Sequence, residues 1–438
     1  MSTNKELIEQ LSKVQPKWAY NCKEFIPGKT PLLYSGPFFD EDEIKMALTA
    51  FLEGNWLVTG EYVHRFQNVF AARFGVKHAH MVNSGSSANL VLIAAAKKHF
   101  GWKDGAEIIV SPVGFPTTVA PIVQNGLKPV FVDIEMDTLN FDIDKIVPKI
   151  TKNTRAIFVS PVLGNPPDMD ELKKICNTYA LELIGDNCDS LGSKWDNRLL
   201  NTYYSAWSTS FYPAHHISTG EGGMVCSDEE GFIATARSIS WWGRDCRCVG
   251  KANLSVCGTC GNRFSKWLEN EGVDVVMDHK YLFTNMGYNL KPLDLQGAIG
   301  LAQMRKIDTI ETRRRENFAA ISNIIMKIPG PYHVAKTLSK ADPCWFGVPI
   351  ICPSNETRQR LVDHFEANKI QTRSYFAGNL LAHPGYKHLD DKDLYPNSNA
   401  ALARVFFLGC PPHYRDEHLA YIDKVYEDFC FKDYDETH

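Results

Sequence analysis

The sequence predicts an α/β protein of three layers, with a mainly parallel central sheet covered by helices on both faces and a smaller C-terminal α/β domain. Three observations carry this prediction. Short apolar runs alternate with helical stretches from about residue 80 to 227, and such alternation implies crossover connections between parallel strands. Residues 297–327 form a periodic, proline-free stretch that separates this region from the C-terminal part of the chain. At 438 residues the chain suits one large domain with a smaller companion.

The elements run in chain order. Residues 1–30 read as an amphipathic helix and an extended arm. A large domain over 31–305 holds the runs AEIIVS (106–111), PVFVDI (129–134), RAIFVS (155–160), LELIGD (181–186), SAWSTS (205–210) and GGMVCS (222–227), all read as strands. ANLVLIAAAKKHF (88–100) and MDELKKICNTYA (169–180) read as helices between them. One or two long helices over 297–327 carry the chain into the small domain, 306–438. On a sheet of this kind ligands bind outside the carboxyl ends of the strands.

Composition narrows the function. Hydrophobic residues make up 44% and charged residues 22%, with a formal charge of −4. No basic surface is available to release counterions from a nucleic acid. No segment reaches about 18 consecutive apolar residues, and MSTNKELIEQLSKVQPKW has no apolar leader core. The expectation is a cytoplasmic protein with no membrane and no nucleic-acid partner.

Several motifs carry chemistry. N-S-G-S-S-A-N (83–89) opens a helix, so the backbone N–H groups and hydroxyls around Ser86 and Ser87 offer a phosphate site at a positive dipole end. Taken alone, the same serines serve equally as a plain helix cap. Asp186 ends an apolar strand, and Phe115 lies in the loop S-P-V-G-F-P-T-T. Five of the twelve cysteines, Cys188, Cys246, Cys248, Cys257 and Cys260, are clustered rather than scattered. In a reducing compartment such clustering points to metal or catalysis. C-x-C followed by C-x-x-C also has the form of a local zinc site that omits Cys188.

The order phosphate-type helix start, loop aromatic, strand-end Asp and S-F-Y-P-A-H-H (210–216) resembles the DegT/DnrJ/EryC-type sugar aminotransferase and dehydratase family, pyridoxal-phosphate-dependent transferases of fold type I built on the aspartate-aminotransferase fold. The resemblance runs from about residue 30 to the C-terminus and includes G-F-P-T-T (114–118), L-G-N-P-P-D-M (163–169), G-Y-N-L-K-P-L-D-L-Q-G-A (287–298) and F-A-G-N-L (376–380). It implies that Ser86, Ser87 and Ser210 hold the cofactor phosphate, that Phe115 stacks on the pyridine ring and that Asp186 pairs with the ring nitrogen. It further implies that Asn289 reaches the phosphate of a neighbouring subunit, which requires a homodimer.

At the position where the family carries a lysine, this chain has His215, with His216 one residue beyond. Imidazole cannot tether pyridoxal phosphate covalently, so the expected cofactor is the amine form, pyridoxamine 5′-phosphate. A histidine of ordinary pKa near 6.5 suits proton removal at neutral pH. Within the family, the branch with this histidine and with cysteines is the iron–sulfur 3-dehydratases of 3,6-dideoxysugar biosynthesis, which act on a CDP-linked 4-keto-6-deoxyhexose. That likeness implies a [2Fe–2S] cluster on Cys188, Cys246, Cys248 and Cys260, with Cys257 competing for the fourth position, and a NAD(P)H-dependent flavin or iron–sulfur reductase as electron donor. The 57-residue gap from Cys188 to Cys246 fits the pattern. The Cys-rich loop at 244–264 departs from it, because eight residues separate Cys248 from Cys257 and eleven separate it from Cys260. Alternatives are an iron-free dehydratase regenerated by transamination and a zinc-stabilised regulator without activity.

Overall fold

The computed structural model describes residues 4–14, 24–54, 57–245, 263–328 and 330–437, with side chains placed to residue 431. A seven-stranded sheet forms its centre, from β1 (His78–Val82), β2 (Glu107–Val110), β3 (Lys128–Phe131), β4 (Thr154–Val159), β5 (Glu182–Asp186), β6 (Ala206–Ser210) and β7 (Gly223–Ser227). The spatial order is β1-β7-β6-β5-β4-β2-β3. Neighbours from β6 to β3 pair parallel, whereas β7 runs antiparallel to both β6 and β1. The expected α/β architecture is therefore present, and each of the six apolar runs supplies a strand. Every residue of β2, β6 and β7 is buried, which is why these runs read as continuous rather than alternating apolar.

β1 went unrecognised in the sequence because H-A-H-M-V carries two histidines. His80 is 2% exposed, and its Nε2 pairs with Ser240 Oγ at 2.7 Å, which satisfies the buried ring. The periodic stretch after residue 290 is two helices, Asp294–Met304 and Ile307–Lys327, that break at Arg305 and Lys306. Beyond them, His333–Val334, Gly347–Ile351, Val405–Gly409 and Thr372–Ser374 form an antiparallel four-stranded sheet in that order. It packs in its own apolar cluster with Phe365, Phe406, Phe407 and Tyr426. Apolar clusters flank the large sheet on both faces, one around Phe66, Phe70 and Trp207 and the other around Ile108, Phe158 and Phe232. Among the described residues no helix is long and apolar enough to cross a membrane.

Candidate active site

A cavity of about 520 Å³ opens at the carboxyl ends of β4, β5 and β6. Strand ends are where a parallel sheet leaves room for a ligand. Ser86, Phe115, Asp186, Cys188, Ser210 and His215 all line it, with Tyr34, Phe346 and Phe376 closing the side nearer the second sheet.

The phosphate-type corner is built by close packing. Ser84 caps the helix Gly85–His99 and accepts a hydrogen bond from Ser87 N at 3.1 Å, so the first N–H groups of the helix stay oriented toward the cavity end. A Cβ on Gly85 would overlap Ser210, and one on Gly223 would overlap the Ser84 carbonyl. Those two glycines let the helix start, the end of β6 and the start of β7 meet. Ser86 Oγ donates to Thr117 Oγ1 at 3.4 Å. Ser87 is turned into the cap, where Ser84 Oγ donates to its hydroxyl at 3.0 Å, and it does not line the cavity.

Asp186 is 4% exposed and rigidly held. Its Oδ2 accepts from Asn89 Nδ2 at 2.8 Å and Thr118 Oγ1 at 2.7 Å, and its Oδ1 accepts from Cys188 N at 3.2 Å. Ser208 in turn donates to Asn89. Asn89 and Thr118 were missed as site residues, although Asn89 closes N-S-G-S-S-A-N and Thr118 closes G-F-P-T-T. A lone polar side chain in the apolar run A-N-L-V-L-I-A-A-A was the available signal.

His215 sits in a turn just after β6, where its N–H donates to the Tyr212 carbonyl at 2.9 Å. Burial and then the charge of Arg314 pull its imidazole down to about 3, so it is neutral at physiological pH. Its Nδ1 faces Asp189 Oδ1 at 3.7 Å. Burial and then the charge of Asp186 push Asp189 up to about 7. His216 points elsewhere: its Nε2 pairs with the Cys344 carbonyl at 2.8 Å and it does not line the cavity. No lysine stands among the described residues that line the cavity.

Cys188 reaches the cavity wall, with its thiol held well above the ordinary range by burial and then by the Asp186 charge. A thiolate here needs a compensating cation. Cys246, Cys248, Cys257 and Cys260 lie outside the described residues. Among the described residues no three metal-ligating side chains come together. Asn289 is exposed beside Trp241 and does not line this chain's cavity.

The mainly parallel sheet with its smaller antiparallel companion is the fold of the pyridoxal-phosphate-dependent sugar aminotransferases, as the family match and the superposed structures show. The chain belongs to the DegT/DnrJ/EryC1/StrS aminotransferase family, which matches residues 39–426. It is 38% identical over 416 residues to dTDP-4-dehydro-2,6-dideoxy-D-glucose 3-dehydratase of Saccharopolyspora spinosa, covering 93% of this chain and 88% of that one. It is 34% identical over 438 residues to the lipopolysaccharide biosynthesis protein RfbH of Salmonella typhimurium, covering 98% and 99%. Among solved structures, Escherichia coli GDP-4-keto-6-deoxy-D-mannose-3-dehydratase with bound hydrated PLP superposes with a TM-score of 0.78 at 30% identity, over 90% of this chain and 98% of that one.

Proposed function

We propose that this chain is a pyridoxamine-phosphate-dependent enzyme that removes the C3 hydroxyl of a nucleotide-linked 4-keto-6-deoxyhexose. The observation that carries this reading is His215, which lies in the cavity with Asp186 and Ser210 where a lysine would otherwise anchor the cofactor. Relatives that are themselves 3-dehydratases support elimination over amino transfer. The fit to the cofactor rests on the close-packed helix start at Gly85 and on the anchored carboxylate of Asp186.

In this reading Ser86, Ser210 and the free N–H groups of the Gly85 helix hold the phosphate. Asp186 keeps the ring nitrogen protonated, Phe115 lies against the ring, and Asn289 of a second copy completes the phosphate site in a homodimer. Pyridoxamine phosphate, when bound, supplies an amine for the sugar ketone and a ring that accepts electron density. His215 takes the proton at C4′, and loss of the C3 hydroxyl follows from its removal.

The finer reading is a [2Fe–2S] cluster on Cys188, Cys246, Cys248 and Cys260, supplied with electrons by a NAD(P)H-dependent reductase, and a CDP-linked substrate, CDP-4-keto-6-deoxy-D-glucose. CDP is favoured by the likeness to 3,6-dideoxysugar dehydratases and by the lipopolysaccharide relative. Cys260 is preferred over Cys257 because T-C-G-N-R-F (259–264) keeps the context of the last ligand, while lengthening the loop before it costs little closure entropy. Iron and acid-labile sulfide analysis of anaerobically purified protein tests this directly. Two irons and two sulfides per chain are expected, lost in Cys260→Ser and kept in Cys257→Ser. Iron-free protein that turns over with glutamate alone would instead establish the transaminating dehydratase.

A further inference from the structure

The backbone of His215 is fixed more firmly than a turn requires. Arg314, 1% exposed, donates from Nη2 to the carbonyls of Ala214 and His215 at 3.1 and 3.2 Å, and from Nη1 to those of Trp345 and Phe346 at 3.4 and 3.2 Å. Ser35 Oγ donates to the Ala214 carbonyl at 2.9 Å. With its main chain held, the ring is fixed by its neighbours: Phe346, with a centroid 5.2 Å away, the Cys188 main chain, whose hydrogen bond favours the protonated ring, and Asp189. His215 Nδ1 is buried without a hydrogen-bond partner. Asp189 Oδ1, at 3.7 Å, is the carboxylate that faces it.

Asp189 has a seat of its own, made at some cost. Its Oδ2 accepts from Leu163 N at 3.2 Å. Leu163 holds φ +56 and Gly164 φ +97. Left-handed backbone is disfavoured at a leucine, because its Cβ crowds the following carbonyl oxygen. A Cβ on Gly164 would stand 2.8 Å from both the Asp189 and Cys344 carbonyl oxygens, so only glycine lets this turn close on Asp189. Ser193 Oγ donates to the Gly164 carbonyl at 2.9 Å and Phe346 N to that of Leu163 at 2.9 Å, which keep the strained turn in place. Strain that the surroundings over-determine marks functional sites.

We propose that Asp189 is the positioning residue of His215, fixing the ring's rotamer and its tautomer with the proton on Nδ1, so that Nε2 carries the lone pair that takes the substrate-side proton. The inference rests on the reading of His215 as the base. For His215 to work as the base, the 3.7 Å separation must tighten to a hydrogen bond, as catalytic contacts commonly do in the complex with substrate. After transfer the ring carries two N–H bonds. The received proton is on Nε2, and Nδ1–H donates to the Asp189 carboxylate, which spreads the new positive charge over the pair. Returning the Nε2 proton restores the starting state. An acceptor on the far nitrogen is what makes an imidazole a base at the near one.

The test uses full-length protein with ¹⁵N-labelled histidine at pH 8.5, with and without pyridoxamine phosphate. Wild-type His215 should show the Nδ1–H tautomer. Asp189→Asn presents an amide donor to Nδ1 and should reverse it. With a nucleotide-linked 4-keto-6-deoxyhexose present, exchange of the C4′ hydrogen of bound pyridoxamine phosphate with solvent should fall about 10²–10⁴-fold in Asp189→Asn, the usual weight of a general base. Asp189→Ala removes the acceptor without adding a donor, so its exchange should fall less than that of Asp189→Asn. A purely structural role predicts the opposite order, because Asn keeps the volume and the Leu163 contact. An Nε2–H tautomer in the wild type, or a tautomer unmoved in Asp189→Asn, overturns the proposal even if a variant folds poorly. Normal exchange in His215→Asn would sink the base assignment while leaving the tautomer result standing.

Discussion

At the scale of single residues, the two adjacent histidines make the sharpest contrast. His215 faces the cavity with Nδ1 toward Asp189, whereas His216 spends its Nε2 on the Cys344 carbonyl. His215→Asn should therefore abolish C4′ hydrogen exchange in the presence of substrate, with little change in melting temperature. His216→Asn should retain most exchange but lose about 1–3 kcal/mol of stability, because a buried carbonyl loses its partner. Exchange kinetics and thermal melts of both variants check this, and equal losses of exchange would mean that the base is the wrong imidazole. Ser86, Phe115, Asp186, Ser210 and His215 were legible in the sequence because each falls in a short motif, and they converge on one cavity. Asn89, Thr118 and Asp189 were not, since their value lies in contacts made only after folding. Asn89 meets Asp186 across 97 residues and Thr118 meets it across 68. No local pattern marks such a clamp.

At the scale of elements, the start of the Gly85 helix depends on backbone proximity more than on side-chain hydroxyls. Gly85→Ala forces a methyl into Ser210, which must move the helix off β6 or displace the serine. Overpacking of this kind costs about 1–3 kcal/mol. The same shift turns the N–H groups away from the phosphate, so affinity for pyridoxamine phosphate should fall together with stability. Gly385→Ala, where a Cβ meets nothing within 4 Å, serves as the control and should change neither. Calorimetric titration with pyridoxamine phosphate and thermal melts measure both quantities. A stable Gly85→Ala protein with unchanged affinity would show that the phosphate is held elsewhere. The buried strands were readable because both faces of the sheet are covered, which leaves long apolar runs. β1 and the short strands His333–Val334 and Thr372–Ser374 lacked that signal. The former is polar where it pairs with Ser240, and the latter are two or three residues long at sheet edges.

At the scale of the whole molecule, buried neutral histidines link stability to pH. Burial, followed by the charge of Arg237, pulls His80 down to about 3, and burial, followed by His418, pulls His413 down to about 4. In the unfolded chain both return to about 6.5. Between the folded and unfolded values the unfolded state binds more protons, so stability is complete above about pH 6.5 and declines as pH falls through the window below it. Each such group contributes a slope of about 1.4 kcal/mol per pH unit within that window. Asp189 acts in the opposite sense, because its raised value makes the folded state the better proton binder below about pH 7. The total slope therefore mixes signs, and a single-site comparison isolates one contribution. His80→Gln keeps an amide able to reach Ser240 Oγ, across the contact that ties β1 to the helix Glu230–Ser240, but cannot be protonated. Its stability relative to the wild type should improve by about 2 kcal/mol between pH 6.5 and pH 5, whatever its offset at pH 8. Urea unfolding of both proteins at half-unit pH steps gives the difference curve. A flat difference from pH 8 to pH 5 would mean that the His80 ring is already charged, or solvated, in the folded protein, contrary to its burial between β1 and Ser240.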